Sequence, residues 1–452
     1  MSIPSVNELI DLGKRIVSKV KEIGADELEI YISASNRFSL RIITNYITTT
    51  SGLDAGVGIR AVVGKRVGFS SVSSLDYANV LNAAKMAVKI AKTRPEDPDF
   101  KHLPDPTRGA GGKGIFDEEL ASISINDLVN LSGKAVKAGL KYSEHIKKVD
   151  FSLNRIIGAF AVVNTRGIEN GDRFTVLSSW TTVKAEKNGE LATGIEFVIN
   201  RKYVPEDVQE LSVKAGQRAE KMFGGKKLER QIKGQLVIDS SVVEDFLWPL
   251  VFNVSALNVQ NGRSRFVGKI NEKVACEKVT IIDDGTLPEG IRTAKIDEEG
   301  IPTTRKSIIE NGVLKTFIYD SYTAYKENRE STGNAFRRGY ETAPSPSASN
   351  IIIKETNSMG VEDLVREVDR GVLIAGFTMG SHLTDPLKGS FSITSLNAFY
   401  VENGDIKYPL KSVSASGNFF ELLNNVIKIG NDYRLTLFGK IPSMLVDGVT
   451  FI

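Results

Sequence analysis

One cysteine, Cys276, stands in a chain of 452 residues, so no intrachain disulfide can form, and that suits a reducing compartment. Histidine is nearly as scarce: His102, His145 and His382 are the whole set, and no two share the one-turn spacing of a metal-binding helix. No apolar run approaches the ~18 residues that span a bilayer. Met1-Ser2-Ile3-Pro4 lacks the basic-then-apolar pattern of a secretory signal. Charge of one sign is missing too: 58 basic against 55 acidic residues leave a formal net charge of +3, with no concentrated basic patch for a nucleic acid. These lacks point to a cytoplasmic protein whose partners include neither membrane nor nucleic acid.

What remains is ordinary globular composition, 41% apolar and 25% charged. The length exceeds what one core usually organises, so several domains are expected. Ser5-x-x-Glu8 reads as a capping box ahead of a helix carrying Val6, Leu9, Ile10, Ile16, Val17 and Val20, with Gly24 as its stop. Strands are expected at 28–33, 38–44, 56–63 and 66–72, then a helix over 76–92 with Val80, Ala84, Ala87, Val88 and Ala91 inward. Prolines 95, 98, 104 and 106 and a glycine cluster mark 94–114 as a flexible linker between an N-terminal α/β subdomain (1–93) and a middle one (115–225). Gly109 to Gly114 spells G-x-G-x-x-G, but it follows a proline-rich coil rather than a strand, which argues against a dinucleotide site. The middle region reads as helix 126–141, strands over 148–156, 160–164, 174–185 and 195–199, and helix 205–223. Residues 226–452 form a β-rich domain, with one long helix over 241–258 kinked at Pro249.

Within that domain four motifs follow in order. Asp283-Asp284-Gly285-Thr286 is a turn, where Asx side chains cap their own backbone more readily than they bind Mg²⁺ or Ca²⁺. Ile309-Glu310-Asn311-Gly312-Val313-Leu314-Lys315 centres on Asn-Gly, the strongest short hairpin signal. Asp320-Ser321-Tyr322-Thr323-Ala324 and Ser331-Thr332-Gly333-Asn334-Ala335 complete the set. Together with Gly24-Ala25-Asp26, Gly58-Ile59-Arg60 and Gly68-Phe69-Ser70, they resemble the TldD/PmbA family, and more specifically its PmbA/TldE branch.

The resemblance implies an α+β protein, an N-terminal mixed α/β domain followed by a C-terminal domain with a large, mainly antiparallel sheet. It implies dimers in which TldD-type and TldE-type subunits enclose a proteolytic chamber. In the catalytic branch a helix carries HExxxH, joined by a later cysteine at zinc: two imidazoles face one metal and the glutamate activates its water. By position that helix falls between Ser241 and Asn258, where this chain reads Glu244-Asp245-Phe246-Leu247-Trp248-Pro249 and has no histidine. The expectation is therefore a non-catalytic subunit with no cofactor or metal of its own, handling unfolded peptides beside a zinc-bearing TldD-like partner or a second copy of itself.

The candidate substrate cleft comprises His382, the likeliest histidine to face it, and Thr332, Gly333 and Asn334. These three either pair with an extended peptide by strand addition or shape a turn. No residue is assigned a catalytic role, and Asp283, Asp284, Gly285 and Thr286 are expected to be structural. Ser390 stands where other members carry an acidic residue in a "GDFS" loop, which puts that loop's role in doubt here. Two other readings stand beside the first: a self-sufficient hydrolase using His382 and nearby carboxylates, and a regulatory binding protein of the gyrase-modulator kind, for which no sequence feature speaks.

Overall fold

The computed structural model of the chain describes residues 3–44 and 46–452. Its first sheet joins β1 (Glu27–Ile43), β2 (Tyr46–Val63), β3 (Arg66–Val72), β4 (Ile146–Asn164), β5 (Glu169–Lys187) and β6 (Glu190–Asn200) in the order β3-β2-β1-β4-β5-β6, all antiparallel. The strands are longer than the apolar alternation predicts. β1 runs unbroken through Ser35, Asn36 and Arg37 because it lies between β2 and β4, and ladder hydrogen bonds on both sides carry it across the polar stretch. The pairing of β1 with β4 also places residues from either side of 94–114 in one sheet.

Six helices accompany this sheet: α1 (Val6–Val17), α2 (Val20–Ile23), α3 (Tyr77–Thr93), α4 (Glu118–Ser122), α5 (Ile125–Lys141) and α6 (Pro205–Glu220). The capping box forms, Ser5 N–H donating to Glu8 Oε2 at 2.7 Å and Glu8 N–H to Ser5 Oγ at 3.3 Å. The helix ends at Val17, before the expected Val20, and Gly24 closes the short α2 instead. Leu9, Ile16, Val80 and Ala84 bury against Ile30, Ile32 and Ile59, while Leu128, Leu131 and Leu211 bury against Leu40, Phe151 and Leu153. Each such side chain contributes roughly 1.5–3 kcal/mol relative to an exposed one.

The C-terminal half builds a nine-stranded sheet from β7 (Ile232–Ile238), β14 (Arg370–Ile374), β15 (Thr378–Met379), β16 (Ser390–Ser395), β17 (Ala398–Glu402), β18 (Asp405–Leu410), β19 (Val413–Asn418), β20 (Val426–Ile429) and β23 (Met444–Phe451). The order is β15-β16-β19-β23-β7-β14-β17-β18 with β20 beside β23; within it only β7 and β14 run parallel. A smaller sheet orders β10 (Val313–Leu314), β9 (Arg305–Glu310), β8 (Ile281–Asp284), β13 (Ile351–Ile353), β22 (Gly439–Ile441) and β21 (Arg434–Thr436), and β11 (Ala335–Phe336) pairs β12 (Ser345–Pro346). One core, including Leu236, Ile238, Leu250, Ile308, Ile351 and Phe451, joins both sheets to the short helices α7 (Trp248–Asn253), α8 (Ala256–Gln260), α9 (Ser321–Lys326) and α11 (Phe419–Asn424); α10 (Val361–Arg366) packs a smaller core on the opposite face. The fold is thus α+β with a large, mainly antiparallel C-terminal sheet. At the β9–β10 hairpin Asn311 (φ 48°) and Gly312 (φ 80°) both take positive φ, as the turn requires, and a Cβ on Gly312 would meet the Ala275 carbonyl at 2.4 Å.

Two local expectations fail. The single kinked helix over 241–258 is instead a 3₁₀ turn, Val243–Phe246, followed by α7 and α8. Pro249 does not kink a helix but lies at the start of one, where its missing N–H is no loss. Ser255 then turns extended and bridges to Ile318, which ends the run. Nor does 94–114 hang free, although it has no helix or strand. Phe100 and Leu103 are buried, Asn164 donates to the Pro104 carbonyl at 2.8 Å, and Gly112 N–H donates to the Ala294 carbonyl at 2.9 Å. A Cβ on Gly111 would fall 1.7 Å from the Lys295 carbonyl oxygen, so this glycine run serves close backbone approach.

Candidate functional site

Side chains on β1 alternate between two environments. Leu28, Ile30 and Ile32 face the helices; Glu29 and Tyr31 face the C-terminal half. Cross-strand register sets Glu29 beside Arg60, and the guanidinium holds Glu29 through two bonds, 2.8 and 2.5 Å. Arg60 also reaches Glu299 Oε1 at 2.7 Å, and Arg337 donates to Glu29 Oε1 at 2.6 Å. Glu299 Oε2 accepts the Ser321 N–H at 2.8 Å. Burial works against the Arg60 charge, but Glu29 and Glu299 outweigh it and hold its pKa above the ordinary value. For Glu299 burial raises and Arg60 lowers, with a net lowering.

Two arginines thus balance two glutamates, and the carboxyls beyond that balance are pushed up. Burial drives Glu298 to about 7 and, with the Glu299 charge, Asp320 to about 7; Asp297 rises well above its range for the same two causes. Glu298 accepts the Tyr31 hydroxyl at 3.2 Å and the Arg337 N–H. Asp320 caps α9 through Thr323 N–H at 2.9 Å, and Asp297 accepts the N–H groups of Glu299, Ile301 and Ala335. This seam clamps the N-terminal sheet to the motif-bearing loops.

The first and last of the four motifs meet beside it. Asp283 is fully buried and accepts Ser349 N–H at 2.6 Å, Asn334 Nδ2 at 2.8 Å and Lys306 Nζ at 2.9 Å. Lys306 also donates to Asn334 Oδ1 at 2.7 Å, and Thr332 Oγ1 donates there at 2.7 Å. Asp284 takes the Asx role, receiving Thr286 N–H at 2.8 Å and Thr286 Oγ1 at 2.7 Å. Gly285 packs against Thr303. Asn334 and Gly333 are buried and Thr332 is half-buried, so the polar atoms of Thr332 and Asn334 are committed inside the fold.

His382 lies elsewhere, exposed on the 3₁₀ turn Ser381–Leu383, and forms no hydrogen bond among the described residues. His102 bonds the Leu103 carbonyl at 2.7 Å, and His145 contacts Glu220 at 3.0 Å. Cys276 contacts the Val426 carbonyl at 3.7 Å.

The turn bearing Ser381 and His382 packs against the 3₁₀ turn Val243–Phe246, within the 241–258 stretch that holds no histidine. Here Asp245 accepts the Thr378 hydroxyl at 2.5 Å; burial pushes its pKa up to about 6 against the hydrogen bonds of Thr378 and Ser381. Glu244 Oε2 is enclosed without a hydrogen-bond partner. A zinc site takes three or four protein ligands, and two neighbouring carboxyls, one of them raised toward neutrality, do not supply them. Among the described residues no group of three or more His, Cys, Asp or Glu converges for any metal.

A cleft of about 1230 Å³ opens nearby, between β6 with α6 and the face of β14, β17 and β18. Phe197, Leu211 and Phe399 give it apolar walls. Glu196 binds both Arg218 and Arg434, the latter at 2.8 Å; burial opposes its charge, and the two arginines win, lowering its pKa. Asp239, which follows β7, and Asn397, which donates to the Thr193 carbonyl at 2.9 Å, also line it. Charged side chains from β6, α6, α10 and β18, among them Asp207, Lys214, Glu362 and Lys407, make up much of the rest of its lining. Sequence reading missed this cleft because it forms between strands far apart in the chain; the alternation of Ala398–Glu402 gave the strand but not what faces it.

Three domain descriptions of one family match in order: PmbA/TldA metallopeptidase domain 1 over residues 28–91, the central domain over 118–223 and the C-terminal domain over 232–452. The chain is 30% identical to uncharacterized protein MJ0231 of Methanocaldococcus jannaschii, covering 97% of this chain and 99% of that one. It is 26% identical to metalloprotease MJ0996 of the same organism, covering 93% of each. The crystal structure of TldE from Thermococcus kodakarensis superposes with a TM-score of 0.87 at 23% identity, covering 97% of this chain and 99% of that chain, a likeness of fold. Among the described residues no helix is long and apolar enough to cross a membrane.

Proposed function

The chain belongs to the PmbA/TldD metallopeptidase family, and from that premise we propose that it is a PmbA/TldE-like subunit, itself non-catalytic, of a zinc peptidase acting on unfolded peptides in the cytoplasm. A TldD-like partner carries the zinc and cleaves; this chain completes the chamber and holds the substrate extended. One observation carries the reading. The stretch where the family resemblance leads us to expect the zinc helix has no imidazole, is broken into a 3₁₀ turn and two short helices, and presents Glu244 and Asp245 instead.

No step of hydrolysis is assigned to this chain. Its groups supply binding: Phe197 and Phe399 offer apolar contact within a largely charged cleft, while Arg218 and Arg434 fix Glu196 as an ordered polar edge. The relatives named metalloproteases support the family's chemistry without assigning it to this subunit. The test is cleavage of an unstructured peptide by the purified chain, alone and mixed with a TldD-type subunit. Turnover only in the mixture is expected; turnover by the chain alone overturns the proposal.

A further inference from the structure

Arg292 stands where three of the polar regions described above meet. Burial lowers its pKa, and the charges of Asp283 in the motif network, Glu244 on the 3₁₀ turn and Glu298 in the seam oppose that shift without cancelling it. Its backbone is pinned. The N–H donates to Oδ1 of fully buried Asn350 at 3.0 Å, and Asn350 donates in turn to the Asp284 carbonyl at 2.7 Å. The side chain lies beside two rings, with Cζ 4.9 Å from the centre of Phe438 and 5.4 Å from that of Phe336. A guanidinium carries N–H donors on all three nitrogens. Nη1 donates to the Ala348 carbonyl at 3.2 Å, while Nε and Nη2 make no hydrogen bond among the described residues and are not sealed from solvent. Nor does the half-buried side chain form an ion pair there. Asp283 is taken by Lys306, and Glu298 by the Tyr31 hydroxyl and the Arg337 N–H. Arg201, which also has no carboxylate partner, is satisfied differently, by the carbonyls of Gly290, Ile291 and Thr293. Arg292 has one carbonyl and an unused edge.

We infer that the Nε–Nη2 edge of Arg292 binds a carboxylate of the peptide, at its C-terminus or on an acidic side chain. The inference rests on the reading of this chain as a subunit that holds peptide. Nε–H and Nη2–H point the same way from one edge of the guanidinium and match the two oxygens of a carboxylate. A cation partly withdrawn from water and without a counter-ion gains more from an arriving anion than an exposed one does. The pinned backbone and the flanking rings hold the fork in place beforehand, so little ordering is left for binding to impose. Phe336, 39% exposed, offers an apolar surface to the residue that carries the carboxylate.

The test is titration calorimetry on the full chain, alone and in complex with a TldD-type subunit with EDTA present to stop cleavage. The probes are N-acetylated Ala-Leu-Thr-Val-Ser-Phe with a free C-terminal carboxylate, the same peptide amidated, and the amidated peptide with Glu in place of Thr. The free acid, the Glu peptide or both bind at least about tenfold tighter than the neutral amide, and whichever gains identifies the source of the carboxylate. Arg292→Gln abolishes that preference and leaves binding of the neutral amide within about twofold, whereas loss of a merely structural arginine weakens all three alike. Arg292→Lys keeps the charge without the fork and cuts the preference at least about threefold; it decides the matter if thermal melts show that Arg292→Gln fails to fold. Equal affinity of the wild type for all three probes, or a preference that survives these substitutions, overturns the inference and leaves the proposed function standing. Binding of none of the three, by chain or complex, overturns the peptide-holding reading as well.

Discussion

Two polar regions of this chain are built in opposite ways. At the seam, Glu29, Arg60, Glu299 and Arg337 are buried and bonded to one another, and each further carboxyl there has several donors. At the turn after β7, Asp245 is half-buried with a raised pKa, and Glu244 Oε2 lacks a partner. The seam is where the recognisable motifs lie, yet its groups are consumed in holding two halves together. The turn lies in the stretch where the proposed function looks for the family's zinc helix, and its groups are lightly held. A motif dense in Asp, Asn and Thr can therefore mark an architectural joint as readily as an active centre.

The largest break in that comparison is Arg60→Ala. Removing the guanidinium strands Glu299 as a buried charge and leaves Glu29 with Arg337 alone, and a loss of ~3–5 kcal/mol in denaturant unfolding is expected. A loss below ~1 kcal/mol would mean the seam is wet and weakly coupled. Next comes Asp283→Ala, which leaves Asn334, Lys306 and the Ser349 N–H short of an acceptor and costs ~2–3 kcal/mol.

A pH series sharpens the contrast. Glu298 has a folded pKa of about 7 against 4.5 ordinarily, so between those values the folded state keeps a proton that the unfolded chain releases. Its contribution is fully present below the unfolded value and fades as pH rises through about 7. Glu298→Gln keeps a neutral side chain, so its stability relative to wild type should climb by ~1–2 kcal/mol from about pH 5 to about pH 8. Asp320 carries the same sign, while Glu196 and Glu299, with lowered pKa values, contribute stability that is lost on acidification. A flat difference between variant and wild type would contradict a dry seam. The smallest effect belongs to His382→Ala: exposed and unbonded, it should change stability by less than ~0.5 kcal/mol and leave turnover of the two-subunit complex intact.

Much of the fold was legible because its signals are local. Val80, Ala84, Ala87, Val88 and Ala91 are the buried face of α3, and the Asn-Gly turn at 311–312 forms. What stayed hidden depends on distant partners. Nothing within 28–44 says that Ser35 and Asn36 continue a strand; the ladders from β2 and β4 decide it. Glu29 and Arg60 are buried by Glu299 and Arg337, more than two hundred residues away, which no local pattern could show. The run 241–258 looks helical by composition, but Pro249 and the Ser255–Ile318 bridge divide it. The missing imidazole, by contrast, needed no tertiary information at all.

The most direct test is the zinc content of the purified chain and of its complex with a TldD-type subunit, measured by mass spectrometry after dialysis. The account predicts that the chain alone retains no stoichiometric zinc and that the complex retains one ion per catalytic subunit. A stoichiometric zinc held by this chain on its own side chains would contradict it.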